Sequence, residues 1–340
     1  MASRPLPVRI VSTGRYLPRK HVPSETVDGW LGLPVGTSAQ LSGVQGRYYA
    51  DGETASEMGA AAAQRALESA GLDAGDIDVL IAACGTPEQP IPSNAALMLK
   101  RLGPEWAGKA AFDLGATCMS FLVALDLAAV LLAARRYGRA LIVAADVASC
   151  GLNHDQPEAA MLFGDAAAAA VVGRVEEDDP LARRPSRILA ARCATWAEGS
   201  SFTEIRGGGS ALPAHQYTAE RRADFLFHME GSHAFRMAAR TLPPLLERVL
   251  ADAGGLDVED FDLVIPHQAS SAAMELMRRR LEIPLSRWVQ TLHKYGNTIA
   301  ASIPLALDEC VREGRLERGD RVLLLATAAG FSASALAFDY

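Results

Sequence analysis

Two hydrophobic periods alternate from one end of the chain to the other. Short apolar runs bounded by turn residues read as parallel strands. In the first half they are VRIVSTGRYL (8–17), DVLIAACGT (78–86), KAAFDLG (109–115), RALIVAADV (139–147) and AAAAAVVGRV (166–175). In the second they are RILAARCATW (187–196), FDLVIPHQ (261–268), WVQTLHKYG (288–296), RVLLLATAAG (321–330) and a last SALAFDY (334–340). Between them lie stretches of helical period: residues 56–72, 120–138, 235–256 and 302–316. The first three end near Gly, as helices closed by a left-handed residue do. The pattern predicts an α/β chain of parallel strands joined by crossover helices.

The halves resemble each other. SAGLDAGDIDVLIAACGT (69–86) parallels DAGGLDVEDFDLVIPHQA (252–269), and DLGATCMSFLVALDLA (113–128) parallels KYGNTIAASIPLALDE (294–309). Such self-similarity predicts a duplicated unit, with halves at 1–175 and 185–340 and the charged, proline-containing stretch 175–187 as the join. A length of 340 residues suits two such units.

Composition narrows the function classes. Hydrophobic residues make up 49% of the chain and charged ones 21%, yet no apolar run reaches the roughly 20 residues that span a bilayer. The N-terminus has no apolar segment followed by a cleavage site, so a soluble, cytoplasmic protein is expected. A net charge of −7 gives no electrostatic reason to expect nucleic acid. Arg221-Arg222 and Arg278-Arg279-Arg280 are local basic clusters, either solvated helix faces or a landing patch for phosphate or an acidic carrier. The five cysteines form no C-x-x-C pair, which predicts reduced thiols and neither a zinc site nor a disulfide framework.

Cys118 stands apart. It lies between a small-residue turn and an apolar helix, where helix amides and the helix dipole lower thiol pKa values to about 3.5–7.5. The competing expectation is a packed thiol, which is the expectation for Cys84, Cys150, Cys193 and Cys310. His267 closes an apolar strand, and Asn297 stands at the corresponding strand-to-helix turn of the repeat. Two polar residues at equivalent strand ends point to a ligand edge.

DLGATC, FGDAAAAAVV, HMEGSHAF, HQAS, YGNTIAASIPLAL and AAGFSASAL, in that order along almost the whole chain, resemble the β-ketoacyl-ACP synthase III family of the thiolase fold. The resemblance implies two duplicated α/β halves in a five-layered αβαβα core, a homodimer, and no cofactor or metal beyond thioester carriers. It implies that Cys118 takes an acyl group from an acyl-CoA or acyl-carrier donor, with the backbone N–H groups of Cys118 and Gly330 as oxyanion hole. His267 and Asn297 would hold the carbonyl of a malonyl thioester, on carrier protein or coenzyme A, and stabilise the enolate left by decarboxylation. Ile91, before Pro92-Ser93, takes the place that borders the partner's acyl pocket, with Met119 and Phe121 beside the nucleophile.

Some positions depart from the family. Ser270 replaces the usual Asn after His-Gln-Ala, Ala272 the usual Arg, and Leu41-Ser42-Gly43-Val44 an Arg-Thr-Gly-Ile stretch. These changes thin the basic grip on coenzyme A and suggest a carrier-bound or longer acyl donor, in specialised lipid or secondary metabolism. Ser270, Arg278, Arg279 and Arg280 are the candidate carrier contacts. Alternatives are acyl transfer from Cys118 to an alcohol or amine without C–C bond formation, a cysteine hydrolase, and a non-catalytic partner subunit. A serine hydrolase is disfavoured because GFSAS lacks the final Gly of G-x-S-x-G.

Overall fold

A computed structural model describes residues 4–175 and 183–340, so most of the expected join lies outside the described residues. Strands β1 (Val8–Tyr16), β2 (Val79–Ala82), β3 (Ala110–Asp113), β4 (Arg139–Asp146) and β5 (Ala166–Arg174) form one sheet in the order β1-β5-β4-β2-β3. A second sheet contains β6 (Arg187–Thr195), β7 (Leu263–Pro266), β8 (Arg321–Ala328) and β9 (Ser332–Asp339), in the order β7-β8-β9-β6. The sheets are mixed rather than all parallel. β2 pairs parallel with β3 and β4, and β7 with β8, whereas β4-β5, β5-β1, β8-β9 and β9-β6 are antiparallel.

The expected strand at 288–296 is a correction. Only Trp288 bridges to Val264, at the sheet edge matching β3, and Leu292–Tyr295 form one helical turn. The cause is local: the Gln268 side chain takes the N–H groups of Thr291 and Leu292, at 2.8 and 3.0 Å, that a continuing ladder would have used.

The layering follows from alternation along the strands. Leu80, Leu141 and Val143 face outward onto Met58, Ala62 and Leu67 of α1 (Ala55–Ala70). Val79, Ile81 and Ile142 face inward, where they meet α2 (Ser120–Ala133) and α5 (Ser302–Arg312). The inner face of the second sheet, with Ile265, Leu324 and Phe338, packs on the same two helices. Its outer face, with Val264, Leu323 and Leu325, is covered by α3 (Gly231–Asp252) and α4 (Ser271–Arg280). This gives the five layers αβαβα. α2 occupies the middle because SFLVALDLAAVLLA is apolar on nearly every side, the pattern of a helix enclosed by protein.

α1 opens on a Thr54/Glu57 capping box and closes on Gly71 at φ 64°. α2 stops earlier than expected: the left-handed residue is Arg135, at φ 58°, and not a glycine. Among the described residues, no helix is long and apolar enough to cross a membrane.

Candidate active site

Two turns, one from each repeat, meet where the sheets' inner helices begin. Thr117–Met119 leads into α2 and Ile299–Ala301 into α5, each as a single 3₁₀ turn followed by a serine. The first residue of each turn is left-handed, Thr117 at φ 49° and Ile299 at φ 52°. For β-branched residues this backbone is strained by about 1–3 kcal/mol, a cost that surrounding contacts must hold in place. Gly85 permits the approach, since a Cβ there would come 2.3 Å from Ile299 Cγ2 and 3.4 Å from the Thr117 carbonyl carbon.

Cys118 is the middle residue of the first turn and is partly exposed. Its thiol is not the low-pKa group expected from the helix start. Burial of the sulfur pushes it up to about 12, and the Asp146 charge acts in the same direction. No lysine, arginine or charged imidazole is among the groups acting on it, so the helix start alone does not offset desolvation. The N–H groups that favour the sulfur's anion are those of Ala329 and Cys118 itself. The Ala329 N–H thus faces the sulfur. Gly330, at φ 81°, is the next residue of the turn between β8 and β9. The Thr117 hydroxyl ties the two turns by donating to the Ala329 carbonyl at 3.3 Å.

His267 follows β7 and is 6% exposed. Its N–H donates to Leu325 O at 2.7 Å, and its Nδ1 lies 2.6 Å from Ser302 Oγ, at the head of α5. Burial lowers its pKa from 6.5 to about 4, so the ring is neutral at physiological pH. The unfolded chain thus takes up a proton near pH 6.5 that the folded one refuses until about pH 4. Stability accordingly falls with pH across that window, by about 2–3 kcal/mol at pH 4.5 from this group. Chemical denaturation of wild type and His267→Gln at pH 7 and pH 4.5 should show the variant losing that much less. Equal losses would contradict the lowered pKa.

Asn297 does not follow a strand, as the repeat suggested, but the one-turn helix Leu292–Tyr295. Its backbone is fixed on both sides, its N–H donating to Leu162 O at 2.8 Å and its carbonyl accepting from Gly164 N at 3.1 Å. Gly164 of the FGD segment is required here, because a Cβ would meet Tyr295 O at 2.1 Å. The Asn297 Oδ1 accepts from Ile299 N at 2.9 Å, which turns the amide nitrogen the other way as a donor.

Three residues that the sequence did not single out hold this arrangement. Asp146, the last residue of β4, is buried and accepts from the Gly85 and Thr86 N–H groups and the Thr86 hydroxyl on one oxygen, and from Ala300 N on the other. Burial raises its pKa to about 6, so it is a carboxylate at neutral pH. Gln268 satisfies its whole carboxamide, donating to Pro266 O and Val289 O while accepting from Thr291 and Leu292. Ser302 is the third. Each could have been sought as the polar residue next to a motif residue or at a strand end, but polarity alone does not distinguish it from a surface position.

His267 also lines an open, mainly apolar cleft between α3 and α4. Phe235 and Leu242 of α3 and Met274 and Met277 of α4 line it, as do Thr327 and Arg280. Arg280 is the one member of the triple-arginine cluster that lines it. Arg278 and Arg279 are instead both bound to Glu275, and Arg278 also donates to Ile283 O at 2.7 Å. Ser270 caps α4, accepting from Ala273 N at 3.3 Å, which engages its hydroxyl within the chain. Arg221 pairs with Asp224, and Arg222 lies 3.9 Å from Asp155.

Met119 and Phe121, expected beside an acyl pocket, are packed in the central apolar layer at 4% and 0% exposure. The cause is geometric: the first turn of α2 points into the space between the sheets. Ile91, by contrast, is 85% exposed on this chain. Cys84 and Cys310 are buried packing residues, whereas Cys150 and Cys193 are exposed, contrary to the expectation of packing. Among the described residues, no group of three or more His, Cys, Asp or Glu is placed to hold a metal.

Comparisons with known proteins point to one family. Residues 112–186 match the family 3-oxoacyl-[acyl-carrier-protein] synthase III, and residues 250–340 match its C-terminal region. The β-ketoacyl-[acyl-carrier-protein] synthase III of Caldanaerobacter subterraneus subsp. tengcongensis is 34% identical over 331 residues, 95% of each chain. The crystal structure of 3-oxoacyl-[acyl-carrier-protein] synthase III from Aquifex aeolicus superposes with a TM-score of 0.87 at 30% identity, covering 98% of this chain and 100% of that one. The priming β-ketosynthase of the R1128 polyketide pathway gives 0.87 at 28% identity, covering 98% and 96%.

Proposed function

Because the chain belongs to the β-ketoacyl-[acyl-carrier-protein] synthase III family, we propose that Cys118, His267 and Asn297 are the residues that carry its condensation. The enzyme is a transferase that joins an acyl group to a malonyl thioester with loss of CO2. The observation that carries the residue assignment is the meeting of the Cys118 turn with the Ile299–Ser302 turn, which orients both Asn297 and His267.

In the first half-reaction the Cys118 sulfur attacks the donor thioester carbonyl. The new S–C bond replaces the donor's, and the thiol proton leaves with the departing carrier thiol. Charge on the tetrahedral oxygen falls to the N–H groups of Cys118 and Ala329. In the second, the malonyl thioester carbonyl accepts from the Asn297 amide and the His267 ring. Loss of CO2 leaves electrons on the α-carbon and this oxygen, and two neutral donors stabilise the enolate without adding negative charge. The α-carbon attacks the acyl carbon, the C–S bond breaks, and Cys118 takes one proton from solvent. The sum is a 3-oxoacyl thioester, CO2 and the free thiol.

The donor is the finer part of the proposal. Leu41 is 64% exposed where the family resemblance implies a basic grip on coenzyme A. An acyl group presented by a carrier protein depends less on that grip, with Arg280 lining the cleft as the nearby cation. The protein works in the cytoplasm as a homodimer, in which the exposed Ile91 is covered by the partner and borders its acyl pocket. The reaction uses no cofactor beyond the thioester carriers. Condensation is favoured over transfer to an alcohol or amine because transfer makes no use of a pinned second carbonyl donor at Asn297.

Supplying the same acyl group on coenzyme A and on holo carrier protein, with malonyl carrier as acceptor, tests this. Carrier-bound donor should give 3-oxoacyl product with CO2 release, at a kcat/KM at least about tenfold above the coenzyme A donor. Equal rates would overturn the donor assignment, and acyl esters or amides without CO2 would overturn condensation.

A further inference from the structure

Ser302 has one hydroxyl proton and two acceptors in reach. Its Oγ lies 2.6 Å from His267 Nδ1 and 2.9 Å from Ile299 O. That carbonyl already accepts the Ser302 backbone N–H, so it does not need the hydroxyl. The contact to the ring is also the shorter of the two, and it falls below the range of N–H donors, about 2.7–3.2 Å. The repeat supplies a contrast: Ser120, at the same position before α2, has two carbonyls, Thr117 O at 2.7 Å and Cys84 O at 3.1 Å, and no imidazole.

We infer that Ser302 sets the tautomer of His267: its hydroxyl donates to Nδ1, which keeps the ring proton on Nε2. A neutral imidazole carries one proton, so the nitrogen that accepts from Ser302 determines which nitrogen can donate. Among the described residues no protein hydrogen bond reaches Nε2, while the ring lines the cleft. The opposite tautomer would present a lone pair to the carbonyl oxygen of the extender and repel the enolate. Ser302 is thus a positioning residue that acts through His267, and its importance for turnover rests on the proposed donor role of that ring.

Nitrogen-15 NMR of histidine-labelled enzyme at pH 7, with His267 assigned by its absence in His267→Gln, reads the tautomer directly. The wild type should carry the proton on Nε2. In Ser302→Ala the ring should shift to a mixture or to Nδ1–H, with kcat for malonyl decarboxylation down about tenfold or more, KM and acyl loading within about twofold, and Ser302→Thr restoring both signals. A wild-type proton on Nδ1, or an unchanged tautomer in Ser302→Ala, would overturn the inference. A shifted tautomer with undiminished decarboxylation would support it and instead overturn the role of His267 as enolate donor. The wild-type spectrum decides the tautomer even if Ser302→Ala folds poorly.

Discussion

Asn297→Ala enzyme is expected to accept an acyl group as readily as the wild type and then stall, with malonyl decarboxylation reduced by about 10²–10³-fold. The side chain is held by one bond, from Ile299 N to its Oδ1, and its backbone is fixed separately by Leu162 and Gly164, so truncation removes a donor without releasing the loop. That donor acts on charge that exists only after CO2 begins to leave, which places the loss in kcat rather than in KM. His267→Ala should behave alike, though it also frees Ser302. Trapped CO2 and intact mass separate the half-reactions, and condensation persisting in either variant would remove that residue from the mechanism.

Cys118→Ala should lose acyl loading altogether, since the hydroxyls of Thr117, Ser120 and Ser302 at the two turns are engaged in hydrogen bonds of their own. The thiol's titration gives a second, graded expectation. With its pKa near 12, the thiolate fraction rises tenfold per pH unit throughout the accessible range. Iodoacetamide labelling of Cys118 should therefore climb log-linearly from pH 6 to pH 9. A plateau below pH 8 would mean that the helix start and the Ala329 amide outweigh burial. Asp146 contributes to the upward shift, so removing its charge should move the profile toward lower pH.

Much of the architecture was visible in the sequence because alternation and helical period report directly on burial. The helical stretch beginning at Ser120 was legible from its apolar period, although Asp126 interrupts it, and the repeat placed Cys118 and the Asn297 region in equivalent turns. The apolar run at 288–296 misled because apolar periodicity does not reveal that a side chain, Gln268, has taken the amides a strand would use. The thiol's pKa was misjudged for a similar reason: the helix start is local in sequence, whereas the burial and the Asp146 carboxylate opposing it come from tertiary packing. The approach of the Ala329 N–H to the sulfur, and the roles of Asp146 and Ser302, depend on which groups face each other across the two halves.

The most direct measurement is intact mass through a two-step chase. Wild-type enzyme is incubated with carrier-bound acyl donors of increasing length and then given malonyl carrier, with Cys118→Ala in parallel. One acyl mass should appear on the wild type alone, map to Cys118, and vanish on adding malonyl carrier, with 3-oxoacyl product and CO2 formed in equal amounts. An adduct on Cys118→Ala, or one that disappears from the wild type as free acid without a carbon–carbon bond, would contradict a cysteine-borne condensation.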